Sequence, residues 1–278
     1  MLNSKNPLGK QVDSPEQYCP AILHAIARCD YRESVGIGSI LPFQGEDVWN
    51  CYELSWLNAA GMPRVAALSI RVPCTSIFLV ESKSLKLYLN SFSQEVIESE
   101  VRLCDIITQD LNHLLETQVQ VKLMKLQNIP PANSDLPGIC LDEIDIDISH
   151  YTRVPELLCT ETVAGESDRG HIDEVLHTHL FRSLCPITAQ PDFASLMIAY
   201  SGLRRISHAC LLKYLVSYRN HAAFHESTVE QIYLDVMEFC KPDTLSVLAR
   251  FTRRGGIDIN PFRSSHQTIA PGGRLSRQ

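Results

Sequence analysis

Pro63-Arg-Val-Ala-Ala-Leu-Ser-Ile70 and Pro191-Asp-Phe-Ala-Ser-Leu-Met-Ile198 read as one strand written twice. Pro63/Pro191, Ala66/Ala194, Leu68/Leu196 and Ile70/Ile198 each lie 128 residues apart. A second set lies 126 apart: Tyr88/Tyr214, Leu89/Leu215, Ser91/Ser217, Phe92/Tyr218, Glu100/Glu226 and Ile106/Ile232. A two-residue length difference between strand and helix reconciles the two registers. The chain therefore consists of two similar halves.

Working outward, Trp49–Asn58 and Arg64–Val72 form strands joined at Gly61-Met62-Pro63. The apolar run 76–80 leads through Glu81-Ser-Lys-Ser-Leu-Lys-Leu-Tyr88 into a short helix ending near Phe92. Glu95–Glu116 carries Val96, Leu103, Ile106, Ile107, Leu111 and Leu114 at helical spacing. Val119–Leu126 alternates as a strand does, Asn128–Gly138 is a proline-rich loop, and Ile139–Ile148 alternates again with Asp142, Asp145 and Asp147. The second half repeats the order. Its strands are His179–Ile187, Phe193–Tyr200, Leu245–Thr252 and Ile257–Asn260, and its helices are Ser207–Tyr218 and Ser227–Phe239. Strand-strand-helix-helix-strand-strand implies an α+β layer, with an antiparallel four-stranded sheet and both helices on one face in each module. The expected division is a leader over 1–45 with a short helix near Ala21–Arg28, a first module over 46–150 and a second over 151–278.

Of the 278 residues 45% are hydrophobic and 21% charged, so a packed core is expected. A net charge of −7 argues against a nucleic-acid partner. Near the end, Arg250, Arg253, Arg254, Arg263, Arg274 and Arg277 face only Asp258, which reads as a solvated basic tail or a small anion site. The ten cysteines form no CxxC pair. Several, including Cys74, Cys104, Cys210 and Cys240, sit in apolar segments and read as reduced core residues of a cytoplasmic protein. The first residues hold no apolar signal region, and no stretch approaches the ~18–20 apolar residues that cross a membrane.

The halves have lost complementary residues. Cys185 faces Leu57 in this register, Asp192 faces Arg64, Glu81 faces Ser207 and His225 faces Ser99. One site that draws on both halves explains all four losses. Cys185 is followed by Pro-Ile-Thr-Ala-Gln-Pro-Asp192, rich in turn formers, which can bring the carboxylate back to the thiol. A thiolate is a strong nucleophile, and a carboxyl beside it can take and return its proton. His225 can pass a proton at neutral pH. Glu226 at a helix start is stabilised by the dipole, and it can also accept two parallel N–H bonds from a guanine-like edge. In Glu81-Ser82-Lys83 the plain reading is a helix capped by Ser82, yet Glu81 directly follows the apolar Ile77–Val80. Arg253-Arg254-Gly255-Gly256 offers charge and close backbone approach to a phosphate. No metal site is expected. His221-x-x-x-His225-Glu226 matches neither HExxH nor HxxEH, and His177 and His179 read as alternating strand residues rather than ligands.

These segments resemble the NADPH-dependent nitrile reductases of queuosine biosynthesis, the QueF-type 7-cyano-7-deazaguanine reductases. The resemblance rests on Glu81–Tyr88, Cys185-Pro-Ile-Thr with Asp192, Phe224-His225-Glu226 and Arg253–Pro261. It covers nearly the whole chain beyond the leader and points to the long, two-module branch of the tunnelling-fold superfamily. It implies that Cys185 forms a covalent thioimide, that Asp192 and His225 move protons, and that Val80, Glu81, Ser82, His225 and Glu226 bind the deazaguanine. It assigns NADPH to Ser82, Lys83, Arg254 and Gly255, and implies a cytoplasmic homodimer with no direct nucleic-acid or membrane contact. The other readings are a zinc-dependent pterin-making relative, which needs a converging His/Cys triad, and a non-catalytic purine- or pterin-binding module.

Overall fold

The computed structural model describes residue 15 and residues 17–129, 131–132, 135–162 and 171–278. The first elements are a 3-10 turn Pro20–Ile22, β1 (Ala25–Ala27), α1 (Cys29–Ser34), β2 (Gln44–Leu57), β3 (Pro63–Pro73), β4 (Phe78–Val80), α2 (Ser82–Asn90), α3 (Glu100–Leu115), β5 (Gln120–Met124) and β6 (Ile139–Cys140). A second 3-10 turn, Pro155–Leu157, then precedes β7 (Thr160–Glu161), β8 (Ile172–Leu184), β9 (Pro191–Gly202), β10 (Arg205–Ile206), α4 (His208–Ser217), α5 (His225–Cys240), β11 (Thr244–Phe251) and β12 (Ile257–Ser264). The α+β class holds. The sheet differs from the expected four-stranded antiparallel one: eight strands are ordered β5-β3-β2-β12-β11-β9-β8-β6, and β6 runs parallel to β8, so the sheet is mixed.

Two compact units divide the chain. Unit one lies within Met1–Ser39, Asp47–Pro131 and Arg253–Ile259, and unit two within Ile40–Glu46, Ala132–Thr252 and Asn260–Gln278. The core of unit one stacks Trp49, Leu54 and Trp56 of β2 and Leu68 and Ile70 of β3 against α2 and α3. Leu103, Ile107, Leu111 and Leu115, one turn apart along α3, are fully buried there. Ser99 starts α3 by accepting from Arg102 N, and Glu116 ends it in the left-handed region.

Each unit contains the same polar knot, which extends the repeat into the expected leader. In unit one, Tyr18 OH (2.6 Å) and Tyr88 OH donate to Asp110 Oδ2 on α3, and Ser91 Oγ accepts from Cys19 N at 3.2 Å. In unit two, Arg153 (2.6 and 2.8 Å) and Tyr214 OH donate to Asp235 on α5, and Ser217 Oγ accepts from Val154 N at 3.3 Å. The β1–β4 pair recurs as β7–β10. Residues 18–27 thus occupy in unit one the place of 153–161 in unit two. Burial and then the Asp110 hydrogen bond push the Tyr88 hydroxyl pKa up. Burial, with Tyr218 and Asp235 beside it, does the same to Tyr214. Asp235→Ala would strand both Arg153 and Tyr214, so we expect a loss of about 3 kcal/mol, read as a lower urea midpoint at unchanged slope.

Several local expectations change. Ala21–Arg28 is not a helix but a 3-10 turn followed by β1. Ile139–Ile148 is a strand only over Ile139–Cys140. Beyond it Asp142 accepts from Thr178 Oγ1 (2.6 Å) and His179 N (3.1 Å), so a side chain takes the place of ladder bonds. Among the cysteines, Cys74 and Cys240 are buried, but Cys210 is joined to Cys159, with Cα atoms 5.9 Å apart, and Cys29 and Cys140 are exposed. The arginines near the end form no common tail or anion site. Arg263 is fully buried and pairs with Glu230 at 2.8 Å, and Arg250 donates to Pro271 O at 2.6 Å. Among the described residues no helix is long and apolar enough to cross a membrane.

Candidate active site

The β8–β9 hairpin of unit two places the thiol. Leu184 and Pro191 close its ladder, and the loop between them is held by Cys185 N donating to Gln190 O (2.9 Å) and Ala189 N to Cys185 O (3.0 Å). Asp192 pairs with Ser183, two residues before Cys185, so strand alternation carries all three side chains to one face. Cys185 and Asp192 are both buried, 5% and 7% exposed. Leu184 also bridges in parallel to Ala222: its N donates to His221 O at 2.8 Å, and its O accepts from Ala223 N at 3.2 Å. That bridge delivers the start of α5 to the hairpin.

α5 begins at His225, with Phe224 as an N-cap that offers no side-chain hydrogen bond. His225 Nε2 lies 3.2 Å from Asp192 Oδ2. The His225 ring stacks on Phe251, with centroids 3.8 Å apart and planes 12° apart, and its buried Nδ1 has no hydrogen-bond partner. A stacked ring can rotate little, so Nε2 stays aimed at the carboxylate. Glu226 follows in the first helical turn, 4% exposed. Four sequence-predicted residues, Cys185, Asp192, His225 and Glu226, thus belong to one hairpin end and the helix start pinned to it. His221 does not form a ligand pair with His225. Its ring packs edge-on against Tyr218, and burial and then Arg153 lower its pKa.

The same architecture recurs in unit one without the chemistry. Asn58 N donates to Met62 O at 3.0 Å, and Leu57 bridges to Val96. Asn58, not Leu57, therefore stands where Cys185 stands, because the second hairpin loop is one residue longer. Arg64 does stand for Asp192. Glu100, the first residue of α3, stands for His225, while Ser99 matches the cap Phe224. A cleft of about 690 Å³ opens there, lined by Trp56, Asn58, Arg64, Glu98, Ser99 and Glu100. No cysteine lines it.

In unit one Glu81, not Ser82, caps α2. Its carboxylate, 1% exposed, accepts from Lys83 N (2.7 Å) and Ser84 N (2.8 Å). The backbone of Val80 pairs with Ala25 in the β1–β4 ladder, and Ser82 Oγ lies 3.4 Å from Glu81 Oε1. Ser207 matches Glu81 and makes no side-chain cap. Arg254 and Ile257 close a two-residue hairpin in which Gly255 and Gly256 have φ of +64° and +83°, a turn that side chains other than glycine resist. A Cβ on Gly255 would come within 3.0 Å of Lys86 Nζ. The Arg253 guanidinium lies 4.6 Å over the Tyr52 ring. Lys86, which sequence reading left out of the cofactor set, thus joins Arg254 and Gly255. Its place one turn after Lys83 on α2 was the available signal. These basic donors beside bare glycine backbone fit the phosphates of a dinucleotide.

Two family models match the chain: "Nitrile reductase, 7-cyano-7-deazaguanine-reductase N-term" over residues 14–123 and "QueF-like protein" over residues 191–269. An NADPH-dependent 7-cyano-7-deazaguanine reductase of Bordetella avium is 46% identical over 270 residues, 96% of each chain. One of Desulfotalea psychrophila is 42% identical over 280 residues, 100% of this chain and 99% of its own. A solved archaeosine synthase QueF-Like chain in the apo form covers 37% of this chain and 97% of its own, at TM-score 0.31 and 16% identity. With such identity along its whole length, the chain belongs to the NADPH-dependent 7-cyano-7-deazaguanine reductase family.

Proposed function

We propose that this protein reduces the nitrile of 7-cyano-7-deazaguanine to an aminomethyl group through a thioimide on Cys185. The full-length match to reductases of that name carries the reading. The Cys185–Asp192–His225 arrangement supplies its chemistry.

A nitrile carbon is a weak electrophile. The Cys185 sulfur adds to it, forming an S–C bond, while the thiol proton passes by way of Asp192 to the nitrile nitrogen. The resulting C=N bond accepts hydride more readily. NADPH, when bound, supplies hydride, and two equivalents are needed because nitrile to amine is a four-electron reduction. After the first hydride the C–S bond breaks and the thiolate leaves. Asp192 and His225, held 3.2 Å apart, return protons to the nitrogen. Glu226 accepts N–H bonds from the deazaguanine. In unit one, Val80, Glu81 and Ser82 are assigned to the deazaguanine, and Ser82, Lys83, Arg254 and Gly255, with Lys86, to the cofactor. Among the described residues β5 and β6 are the outer strands of the sheet, and exposed edges of this kind favour association into a homodimer.

The test is absorbance in the NADPH band with pure protein and limiting nitrile. Two NADPH oxidised per nitrile is the expected count. One per nitrile would place the end point at the imine, and none would overturn the assignment.

A further inference from the structure

Three donor groups of unit two converge at a place the reduction does not use. β6 pairs with β8 so that Cys140 lies beside His177, and His179 follows two residues on, so all three project from one face. One ligand-type atom from each lies within 4.8 Å of the others. Asp135 Oδ1 lies beside the two rings, 3.0 Å from His177 Nε2 and 2.9 Å from His179 Nε2. The sequence reading placed the two histidines on a strand as non-ligands. What it lacked was Cys140, brought in by a two-residue parallel strand.

The tautomer of His177 follows from its outer partner. His177 Nδ1 is 3.1 Å from Pro137 O, which can only accept, so Nδ1 carries hydrogen. His179 Nδ1 is 2.7 Å from Ser195 Oγ. Both rings therefore turn Nε2 toward Asp135. His177 is 2% exposed, and its Nε2 makes no hydrogen bond. His177 Nε2 is thus left as a buried lone pair beside the Asp135 carboxylate oxygen. A divalent cation would give that buried lone pair and the carboxylate oxygen a common partner. The Asp142 carboxylate, bound to Thr178 Oγ1 and His179 N, fixes the irregular stretch of β8 that aims His179.

We propose that Cys140, His177, His179 and Asp135 bind one zinc-class divalent cation. One thiolate, two imidazoles and a carboxylate would make up a four-donor, borderline-soft set, the composition of a structural rather than a catalytic site. The ion fastens the segment from Asp135 to Cys140 onto β8. His179 lies six residues before Cys185 on that strand, on the order of 20 Å away, so the ion takes no part in nitrile chemistry. Bound zinc here would therefore lend no support to a zinc-dependent hydrolase.

The full-length protein, stripped by a chelator, is titrated with Co²⁺ and then Zn²⁺. One Co²⁺ per chain should bind, with a thiolate-to-cobalt charge-transfer band and tetrahedral d–d bands, and Zn²⁺ should displace it. The band should persist in Cys185→Ala and vanish in Cys140→Ser. Ser195→Ala keeps all four ligands and loosens only His179, and should weaken Zn²⁺ binding by about tenfold. No charge-transfer band in the wild-type protein overturns the site, whatever the variants do. So does a band that survives Cys140→Ser in folded protein, or one lost with Cys185→Ala. NADPH turnover in these samples reports on the reductase reading separately.

Discussion

Cys185→Ala is expected to bind 7-cyano-7-deazaguanine and not to reduce it. The substitution removes one sulfur from a buried side chain at a hairpin end whose two hydrogen bonds are made by the backbone of residue 185. Alanine keeps both, so the β8–β9 register and the Asp192–His225 contact remain. The thiolate is lost, and without it the nitrile must accept hydride unassisted. Removal of the nucleophile from a covalent route typically costs about 10⁶-fold in kcat, which in an NADPH assay reads as no turnover. Intact-mass spectrometry checks the same step independently. The wild-type protein incubated with nitrile and no NADPH should gain the mass of one substrate, and the variant should gain none while calorimetry still records binding. Wild-type turnover in the variant would remove the covalent step from the mechanism.

The repeat was legible where its identities lie in buried strand and helix positions, at which packing restricts the choice of residue. Leu68, Leu196, Ile70 and Ile198 are all 1% exposed or less. What lay between those positions was not legible. The extra residue in the Cys185–Gln190 loop has no flanking identity to betray it, so the register at Cys185 shifts by one; a separate extra residue, Glu98 just before α3, shifts it by one at His225. The place of residues 18–27 was hidden for a similar reason. A 3-10 turn and a three-residue strand have no measurable period, and Tyr18 stands where Arg153 does, two side chains that share only the ability to donate to an aspartate. Ile139–Ile148 misled in the opposite direction. Its alternating acids imitate a half-wet strand, while Asp142 is turned inward to hold Thr178 and His179. The grouping of Cys185, Asp192 and His225 could be read because thiol, carboxylate and imidazole stand in short, distinctive segments. The Cys140–His177–His179 group could not, since a parallel pairing joins residues 37 apart in sequence.

Asp192→Asn tests whether the carboxylate moves protons or only holds the hairpin. The amide is isosteric, pairs with Ser183 in the same ladder position and can still meet His225 Nε2. It cannot take up and release a proton. General acid–base groups contribute about 10²–10⁴-fold, and in the proposed mechanism one carboxylate serves both the addition of the thiol and the later protonation of nitrogen. We therefore expect kcat to fall by about 10³-fold, with little change in the Kd for the nitrile. The two steps separate by experiment. Adduct formation on Cys185, followed by mass without NADPH, should slow in the variant but still reach one substrate per chain, because the thiol is intact. A carboxylate that only positions the loop predicts otherwise: adduct would form at the wild-type rate, and kcat would remain near wild type. His225→Phe keeps the stack on Phe251 and removes the imidazole proton site. If Asp192 relays through His225, adding the second substitution to Asp192→Asn costs little more than either alone, since residues that act as a unit are not additive.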